Sequence, residues 1–366
     1  MQNEVKSLRW LSKHKVVAAL LIVFLVLVLL ALCAFGYVMA KLDLIVYDDE
    51  VDKSVYTVST EATGETQPTE EEQTILSGSD VEGLEQVEVP PTIPVGTVEQ
   101  KDEVVNILLI GTDERTKKFN SFARSDSMII VSINKNDKTV KLVSLERGMG
   151  VPILEGQYKG QYDWLTQIFQ YGGADLLVRT VEECFLVDID NYVRLNFTSV
   201  KSVIETIGGV EVELTYEEVK YLNHALHEIS SSQETLHTGV NRLDGPTALA
   251  YARLREIDSD WYRVKRQRKV ILGVVEELKG SSLLELNALA DEVLPMVQTD
   301  LTPGEIMELV LYAPNFLKSE FDQTTIPHSG TYGNMIGLKG RSLFAVDFEA
   351  NAKILHDFLY GTDTEK

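Results

Sequence analysis

The sequence predicts an α/β domain with a mixed central sheet covered by helices on both faces, preceded by one transmembrane helix and a disordered acidic linker. From residue 104 onward, apolar runs of strand length alternate with stretches of helical periodicity. Residues 16–40 contain no charged side chain, and residues 41–103 carry 17 acidic and 3 basic ones. These contrasts divide the chain into a tail (1–15), an anchor (16–40), a linker (41–103) and a folded domain (104–362).

The anchor is predicted from its length and its flanks. An uncharged run of 25 residues can cross a hydrocarbon core of ~30 Å as a helix. A cleaved signal peptide has an apolar region of only ~7–15 residues, so an uncleaved anchor is the better interpretation. The basic residues before the run are Lys6, Arg9, Lys13 and Lys15, and acidic residues follow it. Because basic residues mark the cytoplasmic side, we expect a single-pass cell-membrane protein with a cytoplasmic amino terminus and an extracytoplasmic domain.

The linker is predicted from its composition. Residues 41–103 are rich in Thr, Ser, Gln, Glu and Pro, and their net charge is −14. Such a segment cannot bury enough apolar surface to offset its loss of conformational entropy, so we expect it to be disordered. It could hold the domain away from the membrane as a spacer, or simply connect two parts of the chain.

The composition of the whole chain excludes several classes of function. Its 366 residues include 34 basic and 56 acidic ones, which gives a net charge of −22. Nucleic acid is therefore not an expected partner, because binding it requires a basic surface that displaces counterions. Two cysteines are too few for a disulfide scaffold or a cysteine-rich zinc module.

The elements of the folded domain can be predicted in order. Strands are expected at residues 104–111, 128–133, 139–145, 191–197, 210–214 and 321–326. Helices are expected at residues 174–186, 199–207, 216–229, 244–254 and 262–279. Strands interleaved with helices indicate a mixed sheet with helices on both faces. The first, second and last of these helices are rich in aliphatic side chains and could form an apolar slot.

Arginine and aspartate residues gather at the ends of the predicted strands. The four clusters lie at residues 111–115, 124–127, 144–147 and 253–268. Ligands of open α/β sheets bind beyond the carboxyl ends of the strands, and guanidinium groups bind phosphate oxygens in pairs. Aspartates would repel phosphate unless a divalent cation lay between them, and Mg²⁺ binds one or two carboxylates together with phosphates and water. The clusters together predict a pyrophosphate site with a metal; for any single residue, a surface salt bridge is the alternative.

These segments resemble the LytR-CpsA-Psr family of membrane-anchored bacterial cell-wall enzymes. The resemblance is carried by "NILLIGTDER", "RSDSMIIVSIN", "KLVSLERG", "IGGVEV", "LDGPTALAYARLR" and "DSDWYRVKRQR", in this order. It covers residues 104–280 and continues toward residue 362. It implies a phosphotransferase that binds a polyprenyl-pyrophosphate-linked glycan, transfers the glycan phosphate to peptidoglycan and releases the polyprenyl phosphate. The transferred polymer would be a teichoic acid, a capsule or another cell-wall polymer.

The resemblance also implies a role for particular residues. Those in catalytic positions are Arg147, Arg255, Arg263, Asp126 and Asp260, the two aspartates being candidate bases. Those in pyrophosphate-binding positions are Arg115, Arg124, Arg147, Arg253, Arg255, Arg263 and Gln267. Asp113 and Asp126 would bind Mg²⁺, with Mn²⁺ as the alternative cofactor.

One segment departs from the family's pattern. The family usually has Pro-Arg-Asp where this chain has Glu146, Arg147 and Gly148, so the carboxylate after the arginine is missing. Glu146 could replace it only if its side chain points inward. Two other functions stay open: a hydrolase that cleaves polyprenyl pyrophosphates with water, and a non-catalytic lipid-linked glycan binder or envelope regulator.

Overall fold

A computed structural model describes residues 36–48, 93–98, 100–114, 119, 123–226, 229, 233–316 and 318–361. The chain divides into two units, Met1–Ile45 and Val46–Lys366. In the first unit, residues 36–42 are helical. The predicted tail and most of the predicted anchor lie outside the described residues. Within the described part, no helix combines the length and the apolar character that a membrane span requires.

The second unit contains thirteen strands and eight α-helices among its described residues. The strands are β1 (Val46–Tyr47), β2 (Val104–Thr112), β3 (Ser125–Asn134), β4 (Thr139–Leu145), β5 (Gly150–Pro152), β6 (Tyr162–Trp164), β7 (Asn191–Asn196), β8 (Val210–Leu214), β9 (Gly239–Leu243), β10 (Gln298–Thr299), β11 (Phe321–Ile326), β12 (Tyr332–Ile336) and β13 (Ser342–Val346). The helices are α1 (Leu165–Phe185), α2 (Phe197–Thr206), α3 (Tyr216–Ala225), α4 (Gly245–Arg253), α5 (Asp260–Gly280), α6 (Leu283–Val293), α7 (Pro303–Phe316) and α8 (Phe348–Tyr360).

The central sheet has seven strands in the order β1-β10-β7-β2-β3-β4-β11. Strand β2 is parallel to β7 and antiparallel to β3, while β4 is antiparallel to β3 and parallel to β11. The predicted mixed sheet is therefore confirmed. Strands β2, β4 and β7 all end at the edge of the sheet where β3 begins.

Helices cover both faces of the sheet. Successive side chains of a strand point to opposite faces, and the central strands carry apolar side chains on both. On one face, Leu108, Ile130 and Val143 pack in the main core with residues of α1 and α8. On the other face, Ile107 and Ile129 pack against partly buried apolar residues of α5 and α7. A second core lies between the antiparallel strand pair β8–β9 and helices α2 to α5.

Helix α1 begins at Leu165, well before the predicted start at residue 174. Its amino-terminal part is buried in the main core, and its backbone leaves the helical conformation at Gly172 and Gly173. Because these glycines interrupt the periodicity, the pattern predicts only the second half of the helix. Leu176 and Leu177 are fully buried in the main core.

Strand β1 lies inside the segment that the sequence predicts as a disordered linker, so the prediction is wrong for these residues. Val46 and Tyr47 pair in parallel with Gln298 and Thr299. The hydroxyl of Tyr192 donates a hydrogen bond to Asp48 Oδ1 at 2.6 Å. Composition cannot reveal such a pairing, because the partner strand is distant in sequence. Residues 49–92 lie outside the described residues.

Candidate active site

The carboxyl ends of two strands and the start of a third bring three of the four sequence clusters together. Thr112 at the end of β2 is paired with Ser125 at the start of β3. Asp113 follows β2, Asp126 is the second residue of β3, and Arg147 follows β4. The fourth cluster lies on helices α4 and α5 and on the loop between them, next to this edge. The predicted position of the site, beyond the strand ends, agrees with this arrangement.

A cavity of about 400 Å³ opens at this edge. It is lined by Asp113, Arg124, Asp126, Arg147, Phe197, Tyr221, Ala225, Ile229, Ala250, Arg253, Leu254, Arg255, Glu256 and Arg263. Seven of these residues were predicted as site residues. The cavity therefore collects five arginines beside only three carboxylates.

The side chain of Arg147 is held by two aspartates. Its Nε donates to Asp260 Oδ2 at 3.1 Å and its Nη2 to Asp260 Oδ1 at 3.3 Å. Its Nη1 donates to Asp126 Oδ1 at 3.0 Å. The side chain is 9% exposed, so the guanidinium group is fixed with one edge toward the cavity.

Arg263 approaches the same aspartate from helix α5. Its Nη2 donates to Asp260 Oδ2 at 2.8 Å, and its Nε lies 2.6 Å from Asp260 Oδ1. Its Nη1 donates to the backbone carbonyl of Asp126 at 3.0 Å. Asp260 thus lies between two arginines, and its side chain is 7% exposed.

These contacts determine the charge of both aspartates. Burial alone would raise the pKa of Asp260, but Arg263 and Arg147 outweigh it and hold the pKa well below its ordinary value. Burial also raises the pKa of Asp126, and Arg147, Arg263 and Arg124 together lower it below its ordinary value. Both carboxylates are ionised at neutral pH and are weak bases. Asp260 is not among the residues that line the cavity, and its carboxylate binds both arginines.

Asp113 and Asp126 suit a hard divalent cation. Both line the cavity, and Asp126 Oδ2 has no hydrogen-bond or ion-pair partner among the described residues. The Asp113 carboxylate is oriented by the backbone N–H of Arg124 at 3.0 Å. Mg²⁺ needs only one or two protein carboxylates when phosphates and water complete its shell. No group of three or more acidic, histidine or cysteine ligands occurs among the described residues, so a site complete without substrate is absent there.

Arg253 and Arg255 lie at the end of α4 and in the loop after it. The guanidinium group of Arg253 stacks on the ring of Phe197 at 4.6 Å. Across the described residues, neither arginine has a carboxylate within ion-pair distance of its side chain. These two arginines therefore bring to the cavity positive charge that no carboxylate of the described residues pairs with.

The loop that carries Arg255 is held by Arg266. Its Nη1 donates to the carbonyl of Leu254 at 2.7 Å, and its guanidinium group also binds the Asp258 carboxylate. Its Nε donates to Glu218 Oε1 of helix α3 at 2.8 Å. Arg266 follows Arg263 by three residues on α5, a spacing that favours one helix face. In the structure Arg266 is buried under the loop, while Arg263 lines the cavity.

Two further residues that the sequence predicts for the site are Arg115 and Gln267. Arg115 lies outside the described residues. Gln267 is half-buried on α5 and does not line the cavity.

Two aromatic residues of the cavity, Phe197 and Tyr221, were missed by sequence reasoning. Glu146, whose orientation the sequence left open, is completely buried beside Asp260. An aromatic residue directly after a strand, as at Phe197, is a usable signal because strand ends meet at the site. Nothing in the local sequence indicates that Tyr221, on a separate helix, would reach it.

The fold and the cavity define an α/β domain with an arginine-lined cavity at the carboxyl ends of its strands. The chain belongs to the LytR-CpsA-Psr family: the profile of the LytR_cpsA_psr family matches residues 55–357. The resemblance of the sequence motifs is therefore confirmed.

Two transferases from Bacillus species are similar to this chain in sequence. The chain is 35% identical over 180 residues to the polyisoprenyl-teichoic acid–peptidoglycan teichoic acid transferase TagT of Bacillus subtilis (strain 168), covering 48% of this chain and 53% of TagT. It is 31% identical over 243 residues to the transferase TagU of Bacillus cereus, covering 64% of this chain and 73% of TagU. The match thus spans about half the length of TagT. The predicted enzyme class, a transferase, agrees with the names of these relatives.

A solved structure described as "TagT bound to LI-WTA" has the same fold. It superimposes with a TM-score of 0.56 at 27% sequence identity, covering 70% of this chain and 91% of that one.

Proposed function

We propose that the protein is an Mg²⁺-dependent transferase that moves a glycan phosphate from a polyprenyl-pyrophosphate carrier to peptidoglycan. The observation that carries this proposal is the cavity lined by five arginines, two of which, Arg253 and Arg255, lack a carboxylate partner among the described residues. A cavity with surplus fixed positive charge favours a ligand with several negative charges. The pyrophosphate of a lipid carrier is such a ligand, and the names of TagT and TagU support a lipid-linked polymer.

Asp113 and Asp126 would hold the metal ion. When bound, Mg²⁺ would neutralise charge on the phosphate oxygens and orient them for in-line displacement. Arg147 and Arg263 would contribute hydrogen-bond donors whose directions are set in advance by Asp260.

In the proposed reaction, an acceptor hydroxyl of peptidoglycan attacks the phosphorus that bears the glycan. A bond forms between the acceptor oxygen and this phosphorus, and the bond to the bridging oxygen of the pyrophosphate breaks. Polyprenyl phosphate leaves, and the hydroxyl proton passes to Asp126 or to solvent. Because such transfers depend mainly on positioning and electrostatics, the low basicity of Asp126 is compatible with catalysis.

The lipid part of the substrate needs an apolar surface. Helices α5 and α7 place Ile271, Leu272, Leu309 and Tyr312, all only partly buried, over one face of the sheet. A membrane anchor at residues 16–40 would keep the domain beside a substrate that is embedded in the same membrane. We include this single-pass, extracytoplasmic topology in the proposal.

The test uses the full chain in detergent with Mg²⁺, a polyprenyl-pyrophosphate disaccharide and peptidoglycan oligomers, followed by mass spectrometry. We expect a phosphodiester-linked product that disappears with EDTA and in Asp126→Ala. Arg242→Ala is the matched control, because Arg242 is an exposed arginine paired with Glu277 outside the cavity.

The products distinguish the alternatives. Polyprenyl phosphate formed at the same rate without acceptor would favour the hydrolase. Bound but intact substrate would contradict enzymatic activity and favour a lipid-linked glycan binder.

A further inference from the structure

We propose that Glu146 is a positioning residue of the cavity: a buried, protonated carboxyl group that donates a hydrogen bond to Asp260 and thereby holds Arg147 and Arg263 in place. The part of this proposal that concerns catalysis rests on the proposed function.

The position of Glu146 is fixed by its backbone. It directly follows β4, and its N–H donates to the carbonyl of Ile326 at 2.8 Å, which extends the pairing of β4 with β11. Its side chain points inward and is completely buried. The inward orientation that the sequence left open is therefore present.

The two oxygens of the Glu146 carboxyl have different surroundings. Oε1 accepts a hydrogen bond from the backbone N–H of Gly148 at 3.4 Å. Oε2 is buried and meets no N–H or hydroxyl donor in the described part of the chain. The neighbouring group with which this carboxyl interacts is the carboxylate of Asp260. A hydrogen bond between two carboxyl groups requires that one of them carries the proton.

The proton belongs on Glu146. Asp260 is surrounded by the guanidinium groups of Arg147 and Arg263, which favour its ionised form. With Asp126, these four groups carry two positive and two negative charges. An ionised Glu146 would add an unpaired negative charge in a place without solvent. Burial and the neighbouring Asp260 both raise the pKa of Glu146 well above its ordinary value, which agrees with this assignment.

This arrangement gives Glu146 a task that Gly148, without a side chain, cannot perform. The hydrogen bond from Glu146 restrains the carboxylate of Asp260. Asp260 in turn receives both arginines. Without Glu146, Asp260 could rotate into the vacated space, and the two guanidinium groups would lose their common orientation. The charge of the cavity would stay the same, so we expect an effect on kcat rather than on KM.

Three variants of the full chain test the proposal. In Glu146→Gln, the amide oxygen can accept from Gly148 and the amide nitrogen can donate to Asp260, so the proposed hydrogen bonds persist. In Glu146→Ala both are lost. Glu183→Gln is the matched control, because Glu183 is exposed on α1.

In the transfer assay, we expect kcat of Glu146→Ala to fall about 10- to 100-fold with KM changed less than about 3-fold. Glu146→Gln should restore most of kcat. Deprotonation of Glu146 would place a second negative charge against Asp260, so kcat of the native chain should also fall as the pH rises. Glu146→Gln should lack this alkaline decline, and Glu183→Gln should keep it. Equal damage in Glu146→Gln and Glu146→Ala would overturn the proposal.

A second measurement does not depend on activity. Because the folded pKa of Glu146 is raised, its contribution to stability is complete below the ordinary glutamate pKa and is lost as the pH rises through the folded value. The unfolding free energy of the native chain should therefore decline over this range more than that of Glu146→Gln, and Glu183→Gln should follow the native chain. Identical pH dependence in the native chain and Glu146→Gln would contradict a protonated Glu146. If neither the native chain nor any variant transfers glycan, the proposed function is wrong. The pH dependence of the unfolding free energy still decides whether Glu146 is protonated.

Discussion

Asp260 links the two arginines of the cavity that come from different parts of the chain. Arg147 follows strand β4 and Arg263 belongs to helix α5, and each makes two contacts with the Asp260 carboxylate. A buried carboxylate that pairs with two guanidinium groups cannot be removed without leaving their charge uncompensated. The stability of the domain and the geometry of the site therefore depend on the same side chain.

Asp260→Asn should lower the unfolding free energy by about 3–5 kcal/mol at neutral pH, because it breaks a buried ion pair. The folded pKa of Asp260 is depressed, so its contribution is present above the ordinary aspartate pKa and is lost as the pH falls through the folded value. Denaturant titrations should thus show a difference between native chain and variant that shrinks in acid. Asp322→Asn, on an exposed side chain of β11, is the control. A difference that grows toward low pH would contradict the depressed pKa.

Arg255→Ala should reduce kcat/KM of the transfer about 100-fold, because it removes a charged donor that has no carboxylate within ion-pair distance in the described part of the chain. Arg255→Lys should recover only part of the loss, since an ammonium group cannot bind phosphate oxygens as a planar fork does. Steady-state kinetics with the polyprenyl-pyrophosphate disaccharide measure both. Full activity in Arg255→Ala would show that this arginine does not contact the substrate.

Helix α5 carries three buried arginines that perform different tasks. Arg263 faces the cavity, and Arg266 binds Asp258 and the carbonyl of Leu254 in the loop before the helix. The Nη1 of Arg268 donates to Ser144 and to two residues of β11, which joins the helix to the sheet. Spacing along the helix predicts which arginines share a face, but the neighbouring elements decide what each one contacts.

Arg266→Gln should loosen the loop that carries Arg255. We expect faster amide hydrogen exchange at residues 253–259 and a roughly 10-fold loss of transfer, because about 1.4 kcal/mol of lost positioning corresponds to this factor. Arg268→Gln is the matched control: it is on the same helix and also buried, but it should perturb exchange in β4 and β11 instead. Unchanged exchange in the loop of Arg266→Gln would contradict its role.

The domain as a whole begins earlier in the chain than the sequence predicts. Strand β1 adds Val46 and Tyr47 to the edge of the sheet, and Asp48 accepts a hydrogen bond from the buried Tyr192. The folded domain therefore includes residues 46–48, which lie inside the predicted acidic linker, as well as the residues after the linker. This finding replaces the boundary at residue 104 for the folded part of the chain.

A chain that begins at residue 44 should be more stable than one that begins at residue 93. The shorter chain loses β1 and the carboxylate that accepts from Tyr192, and a hydrogen bond to a charged group contributes about 1.5–3 kcal/mol. Thermal unfolding of both chains measures the difference. Introducing Tyr192→Phe into both chains should reduce the difference in their stability, because the hydrogen bond from Tyr192 to Asp48 is then absent from each. Equal stability without that substitution would show that β1 does not contribute.

The sequence by itself determined the class of fold and the end of the strands at which the candidate site residues lie. The apolar runs of β2, β3 and β4 are local patterns, and side-chain alternation places their residues on two faces without knowledge of partners. The polar residues that end these runs, such as Asp113 and Arg147, must then lie at one edge of the sheet. The family resemblance depends on the same segments, so it could be read from their order.

Only the tertiary structure decided which charged residues meet. Arg266 and Arg263 look alike in sequence, yet one is buried beneath a loop and the other faces the cavity. Glu146 and Asp260 are far apart in the chain, and their contact depends on how α5 crosses the end of β4. Ionic pairing, burial and pKa depend on distances in space rather than on spacing along the chain. The sequence does not predict strands β1 and β10 either, because a strand of two residues is too short to show a periodicity.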